Sequence, residues 1–144
     1  MMTLDDIDRK ILKILQENAR TSLKTIAENT FLSSPAVSAR IEKLEKDGII
    51  SGYHALIDPI RLGYHILAFI NLNVDPDDKP KFYEFASNVP NVLECNCVTG
   101  EYSMLMKVAF QSTMELDLFI GKTSTQIVFS THVGPRGVSV ETIG

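Results

Sequence analysis

The sequence has no tryptophan, only two cysteines, and no apolar run near the roughly 18 residues that a membrane-spanning helix needs. Its first residues, MMTLDDIDRK, are polar and acidic, whereas a secretory signal begins with basic residues and continues into an apolar stretch. These absences argue against a membrane protein and against a secreted one. We therefore expect a cytoplasmic protein without a membrane partner.

Metal-binding and nucleophile patterns are also missing. Cys95 and Cys97 lie two positions apart, which places both on one face of a strand, and the three histidines show no ligand spacing with them. No side chain stands in a recognisable setting of nucleophile and base, and there is no glycine-rich phosphate loop. The sequence predicts reduced core thiols, no metal ion, no catalytic residue and no cofactor, with an enzyme as the weaker alternative.

Positive charge is scarce, and the net charge of -4 argues against nonspecific binding of polyanions. The deficit is not uniform along the chain. Residues 1–50 contain eight basic and eight acidic side chains, whereas residues 51–144 contain six and ten. The excess acidity belongs to the second part, which leaves room for a small nucleic-acid-binding domain at the N-terminus.

Three helical patterns occupy the neutral part. Residues 4–19 repeat apolar side chains with the 3.6-residue period of an amphipathic helix. A second helix is predicted over residues 22–29, and a third starts after Ser33 or Ser34 and stops at Asp47-Gly48. Short helices in this order, with a tight turn between the second and the third, are a helix-turn-helix pattern.

Strand-like patterns dominate the rest of the chain. One strand is predicted over residues 49–57, and a hinge follows in RLGY. Further strands are predicted at about 65–74, 92–99, 102–110 and 126–133, with helices at about 79–87 and 113–120. This order is βαββαβ, as in ferredoxin-like domains. The predicted fold is α+β, with a winged-helix-like helix-turn-helix domain at 1–50, a strand and hinge linker at 51–64 and a ferredoxin-like domain at 65–144.

The predicted sheet would carry helices on one face only. The other face, with residues such as Phe69, Asn71 or Met104, is then available to pack on a second subunit. We therefore expect a homo-oligomer.

Three segments carry a resemblance to a known family. They are LDDIDRKILKILQENAR, SPAVSARIEKLEKDGIISGY and ECNCVTGEYSMLMKV. In this order they resemble the Lrp/AsnC family of amino-acid-responsive transcription regulators, and the likeness covers essentially the whole chain. The resemblance implies a protein that binds double-stranded operator DNA, forms dimers through its C-terminal sheets and often octamers, and responds to a small effector, usually an amino acid. The alternative is an amino-acid-sensing oligomer without DNA binding.

Effectors in this family lie where C-terminal domains of neighbouring dimers meet, against the turn between the second and third strands. Carried onto this sequence, the effector-binding residues are Thr99, Gly100, Glu101, Tyr102 and Ser103, with a second polar group of Thr123, Ser124, Thr125 and Gln126 before the last strand. The chemistry agrees, because Gly100 lets a ligand approach the backbone and Glu101 can pair with an ammonium group. The alternative is that these residues form only a hairpin turn and a solvated loop.

One departure from the family precedes the second polar group. Family members usually have a longer helix there, whereas a helix of about nine residues rises about 13.5 Å and must return along a strand of about 26 Å. The helix is therefore truncated or residues are missing. We expect a strained connection or a chain break near Gly121.

In a helix-turn-helix, the first residues of the third helix approach the bases, while caps and helix N-termini meet phosphates. The predicted DNA-binding residues are Ser33, Ser34, Pro35, Ala36, Ser38, Arg40 and Lys43. Arg40 either offers a bidentate guanine contact worth about 1–3 kcal/mol or pairs with Glu28, Glu42 or Asp47. Because basic residues are few, one domain should bind weakly, and useful affinity requires several domains on one DNA.

Overall fold

The structure is a computed structural model that describes residues 3–120, 124–128 and 130–141, with the backbone alone at 124–126. It divides into two compact units. The helical unit consists of the chain up to Leu56 together with the C-terminal segment, residues 133–141. The sheet unit is Ile57–His132. The sequence division at 50 and 65 did not anticipate that the end of the chain groups with the helices.

Three α-helices form the helical unit, namely α1 at Asp6–Glu17, α2 at Leu23–Thr30 and α3 at Ser34–Lys46. At the start of α1, the Asp8 N–H donates to Asp5 Oδ1 (2.7 Å) and the Asp5 N–H donates to Asp8 Oδ2 (3.2 Å). Ser22 and Ser33 cap α2 and α3 through their side-chain oxygens. The three predicted helices are confirmed, and local capping explains where each begins.

The helices share one apolar core of buried side chains, Ile11, Leu12, Ile26, Ala27, Val37 and Leu44. Ile11, Ile26 and Val37 have no exposed surface, so each helix contributes a fully buried residue. Burying one such side chain stabilises the folded state by about 1.5–3 kcal/mol relative to leaving it exposed. The core therefore fixes α3 against α1 and α2.

The turn between α2 and α3 contains a strained residue. Phe31 adopts a left-handed conformation (φ 56°), and its N–H donates to the Ala27 carbonyl to end α2. Side chains other than glycine rarely adopt this conformation. The Phe31 ring is 93% exposed, with Lys10 Nζ 5.9 Å from its centroid. Burial of the ring therefore does not offset the backbone strain.

The strand predicted at 49–57 is wrong. Residues 51–58 have no regular secondary structure, and no strand within the described ranges pairs with them. A strand forms only when a neighbour satisfies its backbone N–H and C=O groups, however strand-like its side chains are. Tyr53 nevertheless anchors the start of this linker, because its hydroxyl donates to Glu45 Oε1 of α3 at 2.9 Å.

The sheet unit has the predicted βαββαβ order, which is confirmed. Its elements are β1 at Ile66–Leu72, α4 at Lys79–Asn88, β2 at Val92–Cys97, β3 at Met104–Phe110, α5 at Thr113–Ile120 and β4 at Ser124–Ile127. The strands lie in the order β2-β3-β1-β4, and every neighbouring pair is antiparallel. Short single-turn 3₁₀ helices lie at Ile60–Leu62 and Pro76–Asp78.

One face of the sheet packs against the two helices. Its buried core contains Ala68, Ile70, Met106, Val108, Phe110 and, from α5, Leu116. Met104 shares this face with Met106, because side chains alternate along a strand, and it is fully buried. The prediction that Met104 lies on the open face is therefore wrong. The register places Leu105 opposite Asn71, so Leu105 occupies that open face.

The last strand differs from its predicted range of 126–133. β4 pairs with β1 from Asn71↔Ser124 to Ala68↔Ile127, and the Val128 N–H donates to the Leu67 carbonyl at 2.8 Å. The connection predicted to be strained, at 121–123, lies outside the described residues.

Candidate functional site

The start of α3 gathers a small exposed surface, called the reading face. It consists of Ser33, Ser34, Pro35, Ala36 and Ser38. The Ser33 Oγ accepts a hydrogen bond from the Ala36 N–H at 3.3 Å. Ser33 and Pro35 are exposed, and the other three residues are half-buried. Because these side chains are short, the helix backbone can approach a base edge, and its N-terminus attracts a phosphate.

Lys43 is not part of this surface. It is exposed in the last turn of α3, ten residues after the Ser33 cap, which corresponds to about 15 Å along the helix. Lys43 and Lys46 also complement the negative end of the helix dipole there. The structure therefore separates Lys43 from the predicted DNA-binding residues at the start of α3.

The Arg40 guanidinium is bound by two carboxylates of the α1 cap. Its Nη1 atom lies 2.6 Å from Asp5 Oδ2 and 3.0 Å from Asp8 Oδ1. This arrangement is the Arg40 clamp, and it joins α3 to α1. Pairing with an acid was the alternative drawn from the sequence, but none of the three acids proposed there is the partner. The actual partners lie 35 and 32 residues away in the chain.

The clamp shifts the pKa values of Asp5 and Arg40 in opposite directions. The hydrogen bond from Arg40, followed by that from the Asp8 N–H, holds the pKa of Asp5 below its usual value. Hydrogen bonds to Asp5 and then to Asp8 raise the pKa of Arg40. The opposite charges therefore persist together at neutral pH, and the clamp stays formed.

The first turn of α2 is a surface that sequence reasoning left out. Ser22 caps the helix by accepting the Thr25 N–H at 3.1 Å, and Lys24 is exposed beside it. In helix-turn-helix domains the helix before the recognition helix crosses the DNA backbone. Thr21 and Ser22 are residue types that cap helices, so the sequence itself contains a signal for this surface.

The predicted effector turn, residues 99–103, connects β2 to β3. Gly100 has φ 114°, a conformation that favours glycine. Glu101 is exposed, and within the described ranges it makes no hydrogen bond or ion pair. Ser103 is different, because its N–H donates to Asn73 Oδ1 and its Oγ accepts the Val74 N–H, both at 2.9 Å. Hydrogen bonds therefore hold the turn in place at Ser103, and the Glu101 carboxylate at its tip is available to a ligand.

The sheet register brings the turn close to part of the second polar group. β1 pairs Leu72 with Met104 at the start of β3 and Asn71 with Ser124 at the start of β4. The starts of β3 and β4 lie at the same end of the sheet. Because β1 lies between them and neighbouring strands are about 4.8 Å apart, β3 and β4 are about 10 Å apart.

The polar group itself was predicted to precede the last strand, whose predicted start was Gln126, and this placement is wrong for Ser124 and Thr125. They form the start of β4, since their backbones pair with β1. Thr123 lies outside the described residues.

The two cysteines do not form a shared buried pair. Cys95 is half-buried opposite Met106, whereas Cys97 is exposed, so the prediction of two core thiols is wrong for Cys97. Burial, and secondly the neighbouring Cys97, raises the pKa of the Cys95 thiol. In the part of the chain that the structure describes, no three side chains cluster as metal ligands. No helix in these ranges is long and apolar enough to cross a membrane.

Comparisons with known proteins cover both units. Residues 4–51 match the model for winged helix-turn-helix DNA-binding domains, and residues 67–137 match the Lrp/AsnC ligand binding domain. The HTH-type transcriptional regulator FL11 of Pyrococcus horikoshii is 39% identical over 141 residues, which cover 90% of this chain and 91% of that protein.

Solved structures agree. B. subtilis LrpC has a TM-score of 0.85 at 29% identity, and the match covers 90% of this chain and 97% of LrpC. A feast or famine regulatory protein from M. tuberculosis, complexed with L-methionine, has a TM-score of 0.84 at 30% identity and covers 95% and 99% of the two chains. The resemblance read from the sequence is confirmed. The chain belongs to the Lrp/AsnC family and is a DNA-binding transcriptional regulator with a ligand-binding domain, not an enzyme.

Proposed function

We propose that the reading face of α3 recognises operator DNA in the major groove and that an amino acid at residues 99–103 changes how strongly the assembly binds. The observation that carries the DNA part is the exposed, capped start of α3 with its short side chains. Such a surface fits the groove in the orientation that helix-turn-helix domains adopt. A regulator of this kind works in the cytoplasm, on the DNA.

Different residues set the position of the protein on the DNA and its preference for a base sequence. Ser38 and the Pro35 and Ala36 carbons face base edges and thymine methyl groups, which they can approach closely. Ser34, the first turn of α2 and Lys43 meet phosphates, which set position without reading sequence. Arg40 is left out of this set, because its guanidinium is already bound by two carboxylates of α1.

The protein assembles through the open face of the sheet. Phe69 and Leu105 are half-buried and lie on this face. Lys107 of β3 pairs with Phe69 of β1 on one side and with Glu94 of β2 on the other. A face with apolar side chains and with opposite charges on the paired residues Lys107 and Glu94 suits a two-fold interface, in which each contact occurs twice. A homodimer supplies two reading faces, and assembly of dimers into an octamer, as the family resemblance implies, supplies more.

The effector proposal rests on chemistry and on a relative. An amino acid needs an anion for its ammonium group and N–H groups for its carboxylate, and Glu101 and the backbone near Gly100 supply these. The M. tuberculosis relative was complexed with L-methionine. Because the turn lies exposed at a sheet edge, a second subunit must complete the pocket.

Thermal unfolding of the full chain with each of the free amino acids tests the effector site. A ligand at 100 times its Kd stabilises the folded state by about 2.7 kcal/mol, and Glu101→Ala should remove that gain. Glu84→Ala, a matched change on exposed α4, should retain it. An unchanged response in Glu101→Ala would refute the role of Glu101.

DNA binding needs a separate test. A gel-shift assay with the gene's own promoter should give a specific complex for the wild-type protein at low salt. Failure at low salt would favour the alternative, an amino-acid-sensing oligomer without DNA binding.

A further inference from the structure

The chain passes between the helical unit and the sheet unit twice, after Leu56 and again before Val133. The first passage includes residues 51–58, which have no regular secondary structure. A domain held by one such linker can adopt many orientations. A second attachment point would remove much of that freedom, and the C-terminal segment is placed to provide one.

Three contacts of different kinds hold the C-terminal segment on α1. Gln16 Nε2 donates to the Val138 carbonyl at 2.9 Å. Lys13, which lies one turn earlier on α1, forms an ion pair with Glu141. Val140 packs against the apolar core of the helices. The segment is therefore docked along one side of α1, away from the capped start of that helix.

The lack of a side chain at Gly137 allows the C-terminal segment to pack closely against α1. A Cβ on Gly137 would collide with the side-chain amide of Gln16, the group that binds the Val138 carbonyl. Gly134, in the same segment, has open space at the corresponding position. Neither glycine has a positive φ, so alanine is compatible with the backbone at both.

We propose that the C-terminal segment is a second tether, which docks on α1 and restricts the orientations of the reading face. This inference rests on the proposed function. Two reading faces of one assembly bind two half-sites tightly only when their orientations match the spacing, because the second contact then forms at high effective concentration. Docking therefore favours operators with paired half-sites and has little influence on a single half-site.

The tether also gives an effector a short route to the helices. β4 ends at Ile127, and residues 128–132 alone separate it from the C-terminal segment. This connection can span at most about 20 Å. β4 begins at the same end of the sheet as the turn at 99–103. A ligand that shifts β4 and the docking of the segment are therefore coupled through this short connection, and by linkage docking changes the affinity for that ligand.

Hydrogen exchange in the full chain tests the docking without DNA or effector. Gly137→Ala should speed amide exchange in the C-terminal segment, because Gln16 must move away, whereas Gly134→Ala should match wild type. Glu141→Lys should also speed exchange, and the exchanged pair Lys13→Glu with Glu141→Lys should restore the slow rate. Equal exchange in Gly137→Ala and Gly134→Ala, together with wild-type exchange in Glu141→Lys, would overturn the docking.

Carbodiimide cross-linking decides which copy supplies the segment. Joining of Lys13 to Glu141 should occur within single chains, which run as monomers on a denaturing gel. Joining that appears only in dimers would overturn the proposal that each chain tethers its own helices.

Operator binding tests the consequence. On a duplex with two half-sites, Gly137→Ala should bind about 5- to 10-fold more weakly than Gly134→Ala, and on one half-site the two should be equal. Equal affinities on both duplexes, or an equal loss on both, would overturn the tether. If the wild-type protein binds neither duplex, the proposed function fails, and the exchange experiment still decides the docking.

Discussion

The Arg40 clamp predicts that Arg40→Gln destabilises the helical unit without changing its phosphate contacts. The substitution removes the guanidinium that bridges Asp5 and Asp8, and it leaves two carboxylates close together at the start of α1. If Arg40 instead reads DNA, its loss should weaken binding with little effect on folding. The two accounts therefore differ in which measurement changes.

The magnitude follows from the exposure of the partners. The Asp5 side chain is 53% exposed, so its pair with Arg40 belongs to the surface class and contributes below about 1 kcal/mol. Asp8 is 19% exposed, and a hydrogen bond to its carboxylate contributes about 1.5 kcal/mol. The expected loss is about 1.5–2.5 kcal/mol, and each 1 kcal/mol lowers Tm by about 4–8 °C in a domain of this size.

The assay combines thermal unfolding with operator titrations over a range of salt concentrations. Each phosphate contact contributes about 0.9 to the slope of log K against log salt. Arg40→Gln should lower Tm and keep the slope, whereas Lys43→Gln should lower Tm less than Arg40→Gln does and should reduce the slope. Asp8→Asn, which preserves a capping oxygen, should cost no further stability in the Arg40→Gln background. A reduced slope at unchanged Tm in Arg40→Gln would refute the clamp.

Three further predictions concern the helical unit. Because the pKa of Asp5 is lowered in the folded state, its contribution is present above about pH 4 and is lost as pH falls through the lowered value; urea midpoints of wild type and Asp5→Asn should therefore converge in acid, and a constant gap would contradict this. Phe31→Gly should raise the free energy of unfolding by about 0.5–1 kcal/mol by relieving the left-handed strain, whereas Phe31→Ala should give no such gain in calorimetry. Ile26→Ala should cost about 2–5 kcal/mol in denaturant titrations, and a loss below 1 kcal/mol would show that this core is loosely packed.

Local signals explain what was predictable from the sequence. The three helices combine apolar periodicity with capping residues such as Asp5, Ser22 and Ser33, and these effects act within a few residues. The βαββαβ order follows from alternating patterns that survive errors of several residues at their ends. Three motifs in the right order were enough to identify the family.

Long-range pairing explains what was not predictable. The partners of Arg40 lie more than 30 residues away, and the nearer acids looked equally suitable. Residues 49–57 have the side chains of a strand but lack a pairing neighbour in the described chain. Met104 was placed on the wrong face because the pairing register with β1 was unknown. Docking of the C-terminal segment likewise depends on contacts such as Gln16 with Val138, which leave no pattern in the sequence.

Selection from a random duplex pool tests the central claim most directly, namely that the reading face recognises specific DNA. The wild-type protein should enrich a motif with paired half-sites, and Ser38→Gln should lose or alter the enriched bases while keeping the wild-type Tm. Salt-sensitive binding without any enriched motif, or an identical motif for Ser38→Gln, would contradict the account.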